Sequence, residues 1–376
     1  MAGIYLHIPF CKKRCIYCDF FSTTCKEQKT AYIRALCHEL TDRKDYLKGE
    51  PIETIYLGGG TPSQLAKEDF EAIFSHIYKV YKVTPNAEIT LEANPDDLTS
   101  EYISMLRTFP FNRISMGIQT FQDSTLKLLQ RRHTAEQAIR AFQNCRTAGF
   151  RNISIDLMYG LPGETLASWK EDLKQALALH PEHISAYHLI YEEGTTLWQL
   201  REQHKLEEAD EDLSVSLFGT LIDSLTAAGY EHYEISNFCL PGFHSRHNSS
   251  YWTEKKYLGC GPSAHSYNGT SRQWNVASLN EYIRGISNGN PTFEVEELDL
   301  YTRYNDFVIT HIRTQWGMPL PKLGKQYGEE LYKYCLRMAT PHLQQGTLEI
   351  KNDTLKLTRK GIFISDGIMS DMLWVE

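Results

Sequence analysis

The sequence predicts an α/β fold: an incomplete (β/α)6 barrel of the TIM type, followed by a small C-terminal domain of helices that resembles a winged helix. Three observations predict it. Six strand-like segments alternate with helical patterns up to residue 190, as in a parallel barrel or a doubly wound sheet. One face of strand after strand is polar, whereas a closed eight-stranded barrel is filled by bulky apolar side chains. Beyond residue 298, two helical segments precede a hairpin-like stretch and a final helix.

The alternation of side chains within the strands points to a polar interior. The predicted strands cover residues 3–10, 52–59, 87–94, 112–119, 152–160 and 183–190. In the fifth of these, Ile153 and Ile155 share one face while Asp156 lies on the other. This pattern favours an open barrel whose interior holds a polar ligand. Because active sites of barrels lie at the C-terminal ends of the strands, the polar residues found there are expected to line one site.

Changes in composition divide the chain into three parts. We assign residues 1–235 to the barrel core, residues 236–290 to a connecting segment rich in aromatic residues, His and Gly, and residues 291–376 to a C-terminal helical domain with a β-wing. Neither an internal repeat beyond the βα period nor a low-complexity segment interrupts this order.

Charge and hydropathy narrow the class of protein. The 376 residues carry a net charge of −8 and a pI near 6.0, which argues against a general nucleic-acid binder and a polybasic membrane anchor. No stretch approaches the roughly 18 apolar residues of a spanning helix, and the first residues lack the features of a secretory signal. We therefore expect a cytoplasmic protein with no transmembrane segment and no nucleic-acid partner.

The segment HIPFCKKRCIYCDFFS (7–22) places three of the nine cysteines in a C-x3-C-x2-C arrangement. The other six are scattered, which does not fit a disulfide framework. Three thiolates on one short loop suit a [4Fe–4S] cluster and would leave one iron without a protein ligand. Structural zinc would need a fourth ligand, for which His7 is a conceivable candidate. Unligated thiols are the third alternative.

At these residues the chain resembles the radical S-adenosylmethionine (SAM) superfamily. The further motifs GGGTP, LEANP, GIQTF and IDLMYGLPGET, at 58–62, 91–95, 117–121 and 155–165, resemble the branch that holds oxygen-independent coproporphyrinogen III oxidase and the haem chaperone HemW. The resemblance implies a [4Fe–4S] cluster ligated by Cys11, Cys15 and Cys18, with SAM on the open iron. It also implies SAM contacts from Tyr5, Gly59, Gly60, Thr61, Glu92, Gln119, Arg131 and Asp156. The neighbouring Arg132 leaves the assignment of the arginine open by one position.

Two departures from the oxidase pattern favour the chaperone. Phe20 stands where the oxidases have a fourth cysteine, and only ten residues precede Cys11, where the oxidases carry a long extension. The block 233–269 is similar to the chaperones, and it implies haem contacts from His247, Asn248, Tyr251 and Trp252. Taken without the resemblance, the same residues fit a packed, hydrogen-bonded corner better than a haem site. His244 and His265 are weaker alternative haem ligands.

The resemblance therefore implies a haem chaperone, with haem as cargo and haem proteins as acceptors, including respiratory, membrane-associated ones. No residue is assigned a catalytic role in this reading. The alternative is an enzyme of porphyrin biosynthesis that decarboxylates coproporphyrinogen III with the help of SAM. A structural iron–sulfur protein without radical chemistry is the third class, and the set of SAM-contact positions argues against it.

Overall fold

The computed structural model describes residues 2–375, and its largest feature is a 12-stranded sheet. The six middle strands run parallel and in sequence order. They are β1 (Ala2–Ile8), β2 (Ile52–Gly59), β3 (Val83–Ala93), β4 (Arg113–Gln119), β5 (Ile153–Tyr159) and β6 (His183–His188). The outer neighbours of β1 and β6 are other strands, so the ring of six does not close on itself. This arrangement confirms the incomplete barrel predicted from the sequence.

Helices connect the strands, and the longer ones cover the outer face of the sheet. They are α1 (Lys29–Asp42), α2 (Lys67–Val80), α3 (Ser100–Leu106), α4 (Asp123–Leu128), α5 (Ala135–Thr147), α6 (Leu166–Ala178), α7 (Thr196–Glu202) and α8 (Glu211–Ala227), with 3₁₀ turns at Pro62–Gln64 and Pro95–Asp97. Threonine caps start several of them, and the hydroxyl of Thr165 accepts from the amide of Ser168 at the start of α6. Trp169 of α6 is fully buried, and its indole donates to the carbonyl of Leu217 at 3.0 Å. Such packing holds the outer layer against the sheet.

The two faces of the strands differ as the alternation predicts. In β5, Ile153, Ile155 and Leu157 are fully buried in the main apolar core, which the helices complete. Asp156, between them in sequence, lines a cavity at the C-terminal ends of the strands. The barrel interior is therefore polar where the outer face is apolar.

Residues after α8 lengthen this sheet at both edges, which the sequence analysis did not foresee. Next to β6 lie β8 (Asn237–Cys239) and then β7 (Glu231–Glu234), both antiparallel to their neighbours. Next to β1 lie β9 (Tyr257–Cys260), β10 (His265–Tyr267), β11 (Ser271–Asn275) and β12 (Phe293–Glu297). Helices α9 (Arg246–Trp252) and α10 (Leu279–Ser287) lie among them. These strands have only three to five residues, too few for a clear period of two.

The last part of the chain packs around its own apolar core. Its helices are α11 (Leu300–Ile312), α12 (Leu320–Gln344), α13 (Arg359–Ile362) and α14 (Ser365–Met372), and its sheet consists of β13 (Met318–Pro319), β14 (Leu348–Lys351) and β15 (Thr354–Leu357). Gly328, at φ +86°, interrupts α12 with a kink. Strands β14 and β15 form the predicted wing. No helix within residues 2–375 is long and apolar enough to cross a membrane.

Candidate functional site

A cavity of about 470 Å³ lies at the C-terminal ends of the barrel strands. Ten of the residues predicted to hold the cluster or SAM line it: Cys11, Cys15, Cys18, Gly59, Gly60, Thr61, Glu92, Gln119, Arg131 and Asp156. They come from six segments of the sequence. The fold thus brings together the residues that the motifs single out.

The three cysteines lie on the loop that follows β1, and the sulfurs of two of them accept side-chain hydrogen bonds. Thr61 donates its hydroxyl to Cys11 Sγ at 3.3 Å, and Arg131 donates to Cys15 Sγ at 3.4 Å. Burial raises the pKa of Cys11, with the hydrogen bond from Thr61 opposing it, and burial raises the pKa of Cys18 to about 11. Metal coordination deprotonates a thiol despite such burial. The donor set therefore fits an iron–sulfur cluster, whose ligands are thiolates.

The turn after β2 requires glycine at positions 59 and 60 because neighbouring segments leave no room for a Cβ atom there. Gly59 has φ +101°, and an added Cβ would lie 2.6 Å from the ring of His7. At Gly60 a Cβ would lie 2.8 Å from the carbonyl oxygen of Ile8. The close approach of the two loops is what allows Thr61 to reach the sulfur of Cys11.

Two buried carboxyl groups, those of Glu92 and Asp156, line the same cavity in the barrel interior. Burial raises the pKa of Glu92 to about 7, although Tyr56 donates to its Oε1 at 2.7 Å and the amide of Gly59 donates to its Oε2 at 3.2 Å. Burial also raises the pKa of Asp156 to about 6, with nearby Arg113 opposing the shift. Both groups therefore favour a ligand that brings an ammonium group or hydroxyl donors.

Of the two adjacent arginines, Arg131 lies on the cavity. It donates to Asn94 Oδ1 at 2.8 Å and to the carbonyl of Gly117 at 2.5 Å, and its Nε has no acceptor within residues 2–375. Arg132 instead forms salt bridges with Asp96 at 2.8 Å and Asp97 at 3.0 Å. The structure therefore places Arg131, and not Arg132, in the lining of the cavity.

Gln119 ends β4 in a strained backbone conformation. Its φ is +72°, which is unusual for a residue with a side chain, and the pairing of β4 with β5 is irregular between Gly117 and Gln119. Bulges and strained residues of this kind cluster at binding sites, where they redirect a side chain. Here the side chain is directed into the cavity.

Tyr5 is the one predicted SAM contact that the cavity lining does not include. It lies deeper in the barrel, where its hydroxyl bonds to His7 Nδ1 at 3.1 Å. Its ring stacks on Tyr56 and on His247, with centroids 6.2 and 6.4 Å away. In this position Tyr5 supports Tyr56, which in turn contacts Glu92.

The sequence analysis missed Tyr56 and Arg113. Tyr56 precedes the glycine turn by two residues on β2, so the period of two could have placed it on the same face as Gly58. Arg113 is 1% exposed, and its Nε and Nη1 have no acceptor within the described residues. The polar face of β4 contains Arg113, but a charged residue at the start of a strand is commonly solvated. At the cavity mouth, exposed Phe20 and Ile190 form an apolar rim.

The four haem candidates do not line one pocket. His247 is 1% exposed, and both ring nitrogens are engaged: Nδ1 with the hydroxyl of Thr54 at 2.8 Å and Nε2 with that of Tyr251 at 3.0 Å. Asn248 lines the cavity at the cysteine loop. Trp252 instead faces the C-terminal part, where the guanidinium of Arg313 lies 4.1 Å from its ring. Tyr251 packs edge-on against Tyr257.

The two weaker haem candidates lie elsewhere. His265 is exposed on β10 and stacks on Trp274, with ring centroids 5.9 Å apart. His244 lies in the loop between β8 and α9, 2.9 Å from a carboxylate oxygen of Glu231.

Comparison with known proteins defines the class first. The sequence profile of the radical SAM superfamily matches residues 5–176, and that of the HemN C-terminal domain matches residues 298–364. The solved structure of coproporphyrinogen III oxidase (HemN) from Escherichia coli, a radical SAM enzyme, aligns with a TM-score of 0.86 over 99% of this chain and 89% of that one, at 23% identity. The chain therefore has the radical SAM fold.

Curated relatives identify the family of the chain within this fold. The heme chaperone HemW of Bacillus subtilis is 32% identical over 376 residues, which cover 99% of both chains. HemW of Lactococcus lactis is 33% identical over 98% of this chain and 96% of its own length, and HemW of E. coli is 36% identical over 70% and 69%. This chain belongs to the HemW family of heme chaperones.

Proposed function

We propose that the protein binds haem and transfers it to acceptor haem proteins in the cytoplasm, and that it carries a [4Fe–4S] cluster and SAM in the cavity of its barrel. The observation that carries the proposal is the similarity to HemW proteins over 99% of the chain. Phe20 at the cavity mouth supports it as well, since a further cluster-loop cysteine is what the oxidase pattern requires. Respiratory, membrane-associated haem proteins are the acceptors that we propose first.

In this proposal Cys11, Cys15 and Cys18 hold three irons of the cluster. When bound, the cluster supplies an open iron for SAM and a site for electron transfer. Thr61 and Arg131 donate hydrogen bonds to two of the sulfurs and so stabilise their negative charge.

The remaining cavity residues suit the polar groups of SAM. Arg131 can pair with the carboxylate of SAM while it keeps its bond to Asn94. Glu92 and Asp156 can accept from an ammonium group or ribose hydroxyls, and a bound donor would lower the pKa of both groups. The glycine turn lets the ligand approach the backbone at Gly60.

For haem we propose His247 as the iron ligand. Both of its ring nitrogens are hydrogen-bonded in the structure, so haem binding would have to break one of these bonds. Burial, and then the nearby charge of Arg113, lower the pKa of His247 to about 3, so the ring is neutral, as an iron ligand must be. Binding through Nε2 requires Tyr251 to release this nitrogen and α9 to move outward. Thr54 can keep its bond to Nδ1 and so orient the ring, as second-shell partners do at metal sites.

The deciding experiment is anaerobic reconstitution of the cluster in the full chain, followed by two assays. One assay measures the loss of coproporphyrinogen III in the presence of SAM and a reductant. The other titrates haem and follows its absorption. We expect haem binding without porphyrinogen turnover, whereas robust turnover would overturn the chaperone proposal in favour of the decarboxylase.

The haem ligand is tested by three variants in the same titration. His247→Ala should weaken haem binding at least tenfold, about 1.4 kcal/mol. Tyr251→Phe should strengthen it about fivefold, since binding no longer breaks a hydrogen bond worth about 1 kcal/mol. His38→Ala, whose side chain is 53% exposed on α1, is the control and should change nothing. Unchanged affinity in His247→Ala would remove only the ligand assignment and leave the chaperone proposal standing.

A further inference from the structure

A second group of metal donors lies at the β7 edge of the sheet, away from the cysteine loop that follows the interior strand β1. Glu231 and Cys239 are direct partners in the antiparallel pair β7–β8, so their side chains point to the same face. The loop after β8 turns at Leu240, whose carbonyl accepts from the amide of Phe243 at 3.0 Å, and it returns His244 to this face. One donor atom from each of the three residues lies within 4.8 Å of the other two.

We propose that Glu231, Cys239 and His244 form a binding site for zinc, independent of the cluster and of haem. A thiolate, an imidazole and a carboxylate are the three side-chain ligands that zinc takes, whereas calcium and magnesium avoid sulfur. At zinc–ligand distances of 2.0–2.3 Å, tetrahedral geometry sets the ligand atoms about 3.3–3.8 Å apart. The observed spacing reaches that range by side-chain shifts of about 1 Å, within what rotamer adjustment allows.

The surroundings of the three donors fit a closed metal site. The ring of His244 lies edge-on to Tyr233, with centroids 4.8 Å apart, and 5.5 Å from the ring of Trp316. Cys239 is fully buried, and its sulfur lies within 4.8 Å of an imidazole nitrogen of His244 and a carboxylate oxygen of Glu231. A buried free cysteine ordinarily packs as a small apolar residue.

Gln315 offers a fourth ligand for the metal. Its position also indicates a structural role for the metal, because this residue links the C-terminal part of the chain to the sheet. Its side-chain amide lies 3.5 Å from Glu231 and 3.4 Å from His244, and a flip of the amide would turn its oxygen toward the metal. The amide N–H of Gln315 donates to the carbonyl of Tyr233 at 2.9 Å, where the end of α11 joins the edge of the sheet. Zinc at this point would fasten the C-terminal part of the chain to the barrel.

The test measures zinc in the full chain with its cluster already reconstituted, so that the cluster cysteines are not free to bind the added metal. The protein is incubated with zinc ions and desalted, and metal content and zinc X-ray absorption are recorded. We expect about one zinc per chain, with one sulfur near 2.3 Å and nitrogen or oxygen ligands near 2.0–2.2 Å. Zinc binding should also raise the melting temperature, since the metal binds the folded state.

Cys239→Ser and His244→Ala should each weaken zinc binding at least tenfold, since even outer-shell changes cost 10–100-fold at metal sites. Cys145→Ser, which alters another fully buried cysteine, is the matched control and should retain zinc. Iron content reports whether each variant is folded. His244 is partly exposed, so its replacement tests the site even if Cys239→Ser does not fold. A cluster-loaded chain that keeps no zinc, or equal binding in His244→Ala and the wild type, would overturn the proposal.

Discussion

The charge on Asp156 is expected to destabilise the chain when SAM is absent, so Asp156→Asn should melt at a higher temperature at pH 8. Burial raises the pKa of this carboxyl from 3.8 to about 6, against the opposing charge of Arg113. A carboxyl whose pKa is higher in the folded chain than in the unfolded chain costs stability as the pH rises between the two values. The difference of about two pKa units is worth about 3 kcal/mol once the group is ionised.

The predicted shift in melting temperature follows from chain length. The entropy of unfolding for 376 residues is about 0.8 kcal/mol per kelvin, so 3 kcal/mol corresponds to about 4 °C. Asparagine keeps an oxygen for Ser115, which donates to Asp156 at 3.3 Å, so the substitution leaves this bond intact.

The assay compares thermal melting of wild type and Asp156→Asn at pH 4 and pH 8, without SAM. The gap should be about 4 °C at pH 8 and close to zero at pH 4, where the carboxyl is protonated in the folded chain. Asp45→Asn, at an exposed position after α1, serves as the control and should shift neither value. A variant that melts below the wild type at pH 8, or a gap independent of pH, would refute the reasoning.

Three further substitutions probe the site and its support. Gly59→Ala should lower the melting temperature and weaken SAM binding in calorimetry, because the added Cβ meets His7 at 2.6 Å in a backbone conformation that costs about 1–3 kcal/mol; normal SAM affinity would contradict this. Arg131→Met should lower iron per chain after desalting, because Cys15 loses its cationic donor; full iron retention would show that the cluster does not need it. Trp169→Ala should cost about 3–5 kcal/mol in denaturant unfolding yet leave SAM affinity unchanged below the transition, and a change in affinity would place the residue's effect in the site.

The parts of the fold that could be predicted from the sequence are those with a strong local period. The parallel strands and outer helices alternate over the first 190 residues, and the polar face of β5 correctly indicates an open interior around Asp156. The short strands β7 to β12 could not be predicted in the same way. Their pairing depends on which sheet edge is free, and that is a property of the assembled barrel.

The candidate site shows the same division between local and long-range information. The cysteine loop and the glycine turn predict a shared cavity because each of them follows the C-terminal end of a parallel strand. The orientation of α9 is not encoded in its motif: His247 lies inside the barrel, while Trp252 faces Arg313 on the far side. The sequence also cannot predict which of the adjacent Arg131 and Arg132 turns toward the cavity. The choice depends on the positions of Asp96 and Asp97, which form salt bridges with Arg132.

Haem transfer tests the central claim most directly. The full chain, with its cluster reconstituted, is loaded with one equivalent of haem and mixed with a haem-free acceptor haem protein, and the acceptor's absorption spectrum is followed. The account predicts that haem moves to the acceptor and that coproporphyrinogen III supplied to the same preparation with SAM and a reductant is not consumed. Haem that stays on the chain, together with consumption of the porphyrinogen, would contradict it.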